Sequence, residues 1–521
     1  MAFGILANRS PKISHSRSVK IVSDTYATSR TDMKQYLFLI ALTFFGVVSS
    51  FWWTPYAGVA LYYFYAILRP QFLWKWTLDY APVSIPWSFC VAGSAIFGYI
   101  SWSFGILSFG KRESSLMRYR PAFTLAHKLM MLFAFWIICS YARSNDQAAS
   151  EEWFGEYLKI FAMYYLASRV VRTPTQIWGL FMLIVTAVGY IAYEANMIYL
   201  QTGKLILYSR GFAGLDNNGA GLMLALGVPL CYFAWEMTKG WYRYGFLILI
   251  PIIVHAVLGT YSRGAMGSMI VALPFYFLYT RYKKFFAFLL LCGLFALPFM
   301  AGKEIQDRFF SIEKREVDSS YQARQLSWKI AQEIAWDYPI FGAGIRCSNK
   351  EMKQRGADME GRTIHMLYLQ IAADSGWIAL LIYVSMVGAT FISIWRARRR
   401  LWRRTDPESM RATAILGGIE CSLISFLVGA TFLSLEVFEI SYLLFFIGTQ
   451  IWALLNATDT MLKEKMPGQW HAGNRYPLPN TQGRRAQQPM PPRGPMPRPM
   501  PQEAPANGQT PPRTRPGFPQ R

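Results

Sequence analysis

Long apolar runs alternate with short polar ones along most of the chain. The runs fall at about 36–53, 55–68, 85–108, 123–141, 156–171, 176–199, 214–237, 243–261, 264–280, 284–301, 366–393, 412–430 and 437–457. A helix needs about 20 apolar residues to cross a hydrocarbon core of about 30 Å, and most of these runs approach or exceed that length. With each apolar residue near the middle of a span contributing roughly 0.3 to 0.6 kcal/mol, most of them insert on their own. Outer-membrane barrels are excluded, because their strands alternate in polarity over about ten residues. The pattern predicts an all-α integral membrane protein of about twelve transmembrane helices, interrupted by one long, partly helical loop at residues 302–364.

Composition agrees with that reading: of 521 residues, 53% are hydrophobic and 16% aromatic, too apolar for a soluble enzyme of this length. About 35 mostly polar residues precede the first run, so it reads as a retained anchor and not as a cleavable signal. The six cysteines, Cys90, Cys139, Cys231, Cys292, Cys347 and Cys421, lack the paired spacing of a zinc site or a disulfide framework and read as packing residues.

The net charge of +23 points toward nucleic acid only until its distribution is considered. Segment 396–411, RARRRLWRRTDPESMR, holds seven arginines against two acids, and loop 109–122, the RYKK turn at 281–284 and the Arg169–Arg172 turn are also basic. Positive residues of this kind mark cytoplasmic loops. Loop 142–156 has one arginine against four acids and is expected outside. Counting crossings from these anchors puts 200–213, the 262–264 turn, 302–364 and the turn near 431–436 on that same external face. The stretch 36–68 breaks the count, since three runs separate two basic segments; one crossing followed by an interfacial aromatic helix restores it.

Five regions result: a basic cytoplasmic segment (1–35), membrane helices (36–301), the external lobe (302–364), further membrane helices (365–460) and a tail (461–521). From Met466 onward the tail carries fifteen of the chain's 28 prolines, with eight arginines and one acid, a composition that reads as a disordered cytoplasmic arm.

The lobe is the one long soluble segment, with eleven basic and ten acidic residues. Ser319 and Gln322 read as a capping box, and Ala323, Leu326, Ile330 and Ile334 recur at helical spacing up to Asp337-Tyr-Pro. The glycines of IFGAGI then supply a turn. Past the lobe, His365 stands at the mouth of the next crossing, with Asp374 about nine residues further in. Arg210 precedes a crossing entered through Asp216, Asn217 and Asn218, and Arg263 interrupts two apolar runs in YSRG. As isolated features, these residues read equally well as helix caps and interfacial hydrogen-bonding groups.

The topology brings Arg210, Arg263 and His365 to one membrane face. Arginine is permanently charged and grips phosphate oxygens through paired hydrogen bonds, so it can hold a diphosphate without a metal ion. Histidine, with an ordinary pKa of about 6.5, accepts a proton near neutrality. The combination fits a hydroxyl attacking a carbon that bears a diphosphate leaving group.

Four blocks, GFAGLDNNGAGLMLALGVPL (211–230), GTYSRGAMGSMIVALP (259–274), ARQLSWKIAQEIAWDYPIFGAGI (323–345) and IHMLYLQIAADSGWIALLIY (364–383), resemble the O-antigen ligase and polymerase superfamily, especially its O-glycosylation ligase branch. The resemblance covers roughly residues 120–395. It implies a multi-pass enzyme of the bacterial inner membrane that takes a glycan from undecaprenyl diphosphate at the periplasmic face, with membrane lipids around it, no cofactor and no nucleic acid. It also implies Arg210, Arg263 and His365 as catalytic residues and matches Arg324 to a further arginine, a candidate for substrate binding; Asn217, Asn218 and Asp374 join it as candidates from their own polar settings at the mouths of two crossings. Where the family usually places serine or asparagine after the histidine, this chain has Met366.

Two alternatives stay open. A polymerase of the same fold joins lipid-linked repeats instead of passing a glycan to another acceptor. A transporter or flippase of lipid-linked sugars belongs to another class, and such proteins favour midplane charges, broken helices and internal repeats. The apolar runs suggest none of these, and the polar residues gather at one face.

Overall fold

The computed structural model describes residues 31–70, 87–104, 121–212, 214–300, 319–357 and 364–465. The readings of the basic amino-terminal stretch up to residue 30 and of the proline-rich tail from 466 lie outside the described residues, as does part of the long loop. Among the described residues every regular element is helical. Seven stretches there are long and apolar enough to cross a membrane: Leu125–Ala142, Pro174–Thr202, Asn217–Met237, Trp241–Leu258, Leu367–Leu401, Pro407–Gly429 and Glu439–Thr458.

Helices α1 (Thr31–Trp52) and α2 (Pro55–Leu68) form an antiparallel hairpin. The hydroxyls of Thr43 and Tyr65 meet at 2.6 Å, and the packing of Leu61 on Gly46 continues the same register. Both pack on α3 (Trp87–Ser103). Helix α2 is buried over Val59, Leu61, Tyr62, Tyr63, Ile67 and Leu68, so Tyr62, Tyr63 and Tyr65 lie inside the fold.

The central body contains α4 (Leu125–Ala142), α5 (Gln147–Val170), α6 (Pro174–Thr202), the short α7 (Ile206–Arg210), α8 (Asn217–Ala225), α9 (Gly227–Met237), α10 (Tyr244–Leu258), α11 (Arg263–Tyr279) and α12 (Lys283–Met300). The lobe supplies α13 (Ser319–Asp337) and α14 (Cys347–Gln354). The chain then completes α15 (Leu367–Leu401), α16 (Pro407–Gly429) and α17 (Glu439–Lys465). Helix α16 packs against α9, α11 and α17, while α15 packs on α4 and α17.

Local sequence explains where these helices start. Thr173 caps α6, accepting from the N–H of Gln176 at 3.2 Å while the Gln176 carboxamide accepts from the Thr173 N–H, and Pro174 takes the first helical position, where no N–H is needed. Helix α13 runs as its spacing predicts, but its buried stripe is Ser327, Ile330, Ala331, Ile334 and Ala335, whereas Ala323 and Leu326 are exposed. Of the cysteines, Cys231, Cys347 and Cys421 are buried, but Cys90 and Cys292 are exposed and do not pack inside.

The largest departure from a simple succession of apolar helices is in α15. Gly376 sits at φ 86° and ψ 166°, so the helix breaks there. Residues 367–375 bridge two cores: Leu369 and Ala373 join Ile330, Ile334, Ala343, Cys347, Met352 and Ile364 in a small second core with the lobe, while Leu367 and Ile371 pack in the main one. The carbonyls around the break are taken by other elements: Ala373 accepts from Ala343 N–H at 2.9 Å, Asp374 from Gly344 N–H at 3.0 Å, and Ser375 from the Trp136 indole at 3.2 Å. Buried backbone must be paired in this way wherever a helix is interrupted.

Candidate functional site

The turn at Tyr261-Ser262-Arg263 is a helix start. The Ser262 side chain accepts from the N–H of Ala265 at 3.3 Å, which makes Ser262 the cap and Arg263 the first residue of α11. Ser262 is buried whereas Arg263 is exposed. Tyr261 holds a left-handed backbone at φ 55°, uncommon for a residue with a side chain and costing about 1–3 kcal/mol.

Two links join this turn to the Asn217 helix. Asn217 Nδ2 donates to the Thr260 carbonyl at 3.0 Å. Gly221 lies against the turn so closely that a Cβ there would come within 2.6 Å of the Thr260 hydroxyl, so only glycine permits the approach of α8. Asp216 caps α8 by accepting from Gly219 N–H at 2.8 Å, and Asn218 Nδ2 donates to Asp216 at 3.1 Å. Asn217 and Asn218 thus act as a staple and a cap partner. Arg210, exposed, ends α7, and Tyr208 on that helix sets its ring edge-on against Tyr261 at 4.9 Å.

His365 arrives from the lobe. It is half-buried and also left-handed, at φ 57°. Met366 caps α15 without a side-chain hydrogen bond. The Leu367 N–H donates to the Ala430 carbonyl at 2.9 Å, and Phe432, two residues on, lies against Gly264. The segments carrying Arg263 and His365 therefore flank one turn, residues 429–432.

Further contacts bring the other lobe-side segments to the same end. Asn145 N–H donates to Ala343 O at 3.0 Å, and Ser150 donates to Ile345 O at 2.8 Å. Arg346 pairs with Glu436 at 2.6 Å and stacks over Trp153 at 4.0 Å. At the lobe surface Lys350 meets Asp146 at 3.0 Å, and its hydrogen bond, reinforced by the Ala149 N–H, holds the Asp146 carboxyl below the usual carboxylate range. The basic segment lies elsewhere: Arg398 pairs with Glu420 and stacks on Tyr279, at the far end of α11.

Asp374 occupies a different setting from the exposed arginines. It is 4% exposed, and its carboxylate accepts from Gln370 Nε2 at 2.7 Å and from Ser348 N–H at 3.3 Å. It joins the lobe to the helix break. Arg324 stands near the start of α13, which packs on α15, and the contacts above do not connect it to the 429–432 turn. His255, half-buried, bonds Asn196 between α6 and α10. Among the described residues no group of three or more His, Cys, Asp or Glu is placed to hold a metal ion.

The sequence reading missed the Arg346–Glu436 pair. Both residues stand in short polar turns beside apolar runs, the one signal that marks them.

Residues 246–384 match the family model described as O-antigen ligase. Over this stretch the chain is similar to that family. The matched stretch contains Arg263, Arg324, His365 and Asp374, and Arg210, Asn217 and Asn218 lie upstream of it. The match supports a relationship to the O-antigen ligase superfamily, and the seven long apolar helices support a multi-pass membrane protein. Comparison with curated proteins gave no match.

Proposed function

We propose that the protein is a membrane glycosyltransferase that moves a glycan from undecaprenyl diphosphate to an acceptor hydroxyl at the periplasmic face of the inner membrane. The observation that carries this reading is the convergence on the 429–432 turn: Leu367 bonds Ala430 and Gly264 meets Phe432, so His365 and Arg263 flank one short segment. Tyr208 against Tyr261 adds the helix that ends in Arg210.

In the reaction, the acceptor oxygen bonds to the anomeric carbon while the bond from that carbon to the diphosphate oxygen breaks. The leaving diphosphate keeps the electron pair, and the acceptor proton passes to a ring nitrogen of His365. Arg210 and Arg263 bind the diphosphate and offset the charge that grows on it. Asn217 and Asn218 hold the Arg263 turn and the α8 start, Asp374 fixes the lobe against α15, and Arg324 is assigned to the glycan. Crossings beyond the seven long helices, to a total of about twelve, are part of the same proposal. So is the external position of the lobe.

Deleting the gene from its host tests the reading. Undecaprenyl-linked glycan should accumulate, as long chains for a ligase and as single repeats for a polymerase. Unchanged levels of lipid-linked glycan would overturn the proposal.

A further inference from the structure

The carboxamide of Gln370 is completely buried and bonded on both sides. Its oxygen accepts the N–H of Ile364 at 3.2 Å and the hydroxyl of Ser434 at 3.0 Å. Its nitrogen donates to Asp374 Oδ2 at 2.7 Å, to Ser348 Oγ at 3.0 Å and, more weakly, to Asn349 Oδ1 at 3.4 Å. Three elements thus meet on one side chain: the lobe through Ser348, the segment after the 429–432 turn through Ser434, and the chain immediately before His365 through Ile364.

That last bond has a geometric consequence. His365 occupies a left-handed backbone conformation, which persists only where the surroundings over-determine it. On its carboxyl side the Leu367 N–H is fixed to Ala430 O. On its amino side the fixed point is Ile364 N–H on Gln370. The imidazole is carried between two clamps, and one of them is a side chain.

We propose that Gln370 is a positioning residue for the transfer reaction: its carboxamide holds Ile364 so that His365 keeps the backbone turn that presents its ring to the acceptor hydroxyl. The inference rests on the assignment of His365 as base. Gln370 itself touches neither substrate nor the reacting atoms. Asp374 and Ser348 orient the carboxamide, so that its oxygen and not its nitrogen faces Ile364.

Gln370→Asn tests this, because it keeps both functional groups but draws them back by one methylene, about 1.5 Å. The variant, His365→Ala and the double variant are compared at matched membrane abundance in cells lacking the native gene. Two quantities are read: glycan transfer, and the affinity of the purified proteins for undecaprenyl diphosphate. Displacement of a catalytic group by about 1 Å can cost on the order of a hundredfold, so Gln370→Asn should lose roughly ten- to hundredfold in transfer. Its affinity should stay within about twofold of native, and it should lose nothing further in the His365→Ala background, because residues acting as one unit are not additive.

Native transfer by Gln370→Asn, an equal loss in both backgrounds, or affinity falling in step with transfer would each overturn the proposal. Native transfer by His365→Ala would instead overturn the assignment of the base, and the proposal with it. Gln370→Glu provides a second variant should the first fail to fold. It keeps an oxygen toward Ile364, and two adjacent carboxyls sharing one proton keep an O–H donor toward Asp374. It should recover most of the transfer that Gln370→Asn loses, and a folded but equally impaired Gln370→Glu would also overturn the proposal.

Discussion

Arg346 and Glu436 form an ion pair at 2.6 Å with only 9% and 2% of their side chains exposed. The pair fastens the lobe to the turn ahead of α17, and Arg346 adopts φ 61° to reach it. Removing one member of a buried pair strands the other charge and typically costs about 3–5 kcal/mol. Glu436→Ala should therefore lower the thermal unfolding midpoint of the detergent-purified protein sharply. Replacing both, as Arg346→Met with Glu436→Leu, should recover most of that loss, which a double-mutant cycle measures directly.

Arg263 and Arg210 stand exposed at the ends of two helices joined through Tyr208 and Tyr261. If they bind diphosphate, Arg263→Ala and Arg210→Ala should each weaken the affinity for undecaprenyl diphosphate by roughly ten- to hundredfold, the worth of a charge-assisted hydrogen bond. Lysine at either position should restore part of the affinity, because it keeps the charge but not the paired geometry. An isothermal titration with undecaprenyl diphosphate distinguishes these cases. Equal affinity in all variants would remove both arginines from the site.

Apolar run length marked the seven long apolar helices because desolvation acts residue by residue, and charge bias grouped the lobe-side segments because loops are sorted by sign. The contacts of Asn145 with Ala343, Leu367 with Ala430 and Asn217 with Thr260 bring those segments to one end. Where partners are distant, pattern fails. Around Gly376 the Asp374-Ser375-Gly376 triplet is a local signal of a break, but nothing in it says that the freed carbonyls go to Ala343, Gly344 and Trp136. Leu326 shares the helical spacing of Ile330, yet only the later residue reaches another surface. The candidate arginines and the histidine were legible as chemistry, whereas the clamp on Ile364 depends on a loop N–H that no motif records.

The Asn217 bond to the Thr260 carbonyl ties α8 to the turn that presents Arg263. Asn217→Ala leaves that carbonyl without its partner, which should cost about 1–3 kcal/mol if the acceptor stays dry. Transfer should fall with it, since the turn loses its anchor at Thr260, three residues before Arg263. Asn217→Asp should be at least as damaging, because a carboxylate offers no donor to a carbonyl. Thermal scans and transfer assays on the two variants at matched abundance check this, and native behaviour of Asn217→Asp would show that the staple is dispensable.

Gly376 and Gly388 lie on the same helix and should respond oppositely to alanine. At Gly376 the left-handed backbone already disfavours a side chain, and a Cβ would strike the Ile340 carbonyl. Strain of this kind costs about 1–3 kcal/mol, and its relief would push the 339–344 turn away from Asp374 and from the carbonyls it pairs. At Gly388 no atom lies within 4 Å of where the Cβ would stand, in regular helix. Alanine there should stabilise by up to about 1 kcal/mol through its better helix propensity. Gly376→Ala should therefore lower the unfolding midpoint and transfer together, while Gly388→Ala leaves transfer unchanged and raises the midpoint slightly. A lobe indifferent to Gly376→Ala would mean that the break in α15 is not what seats it.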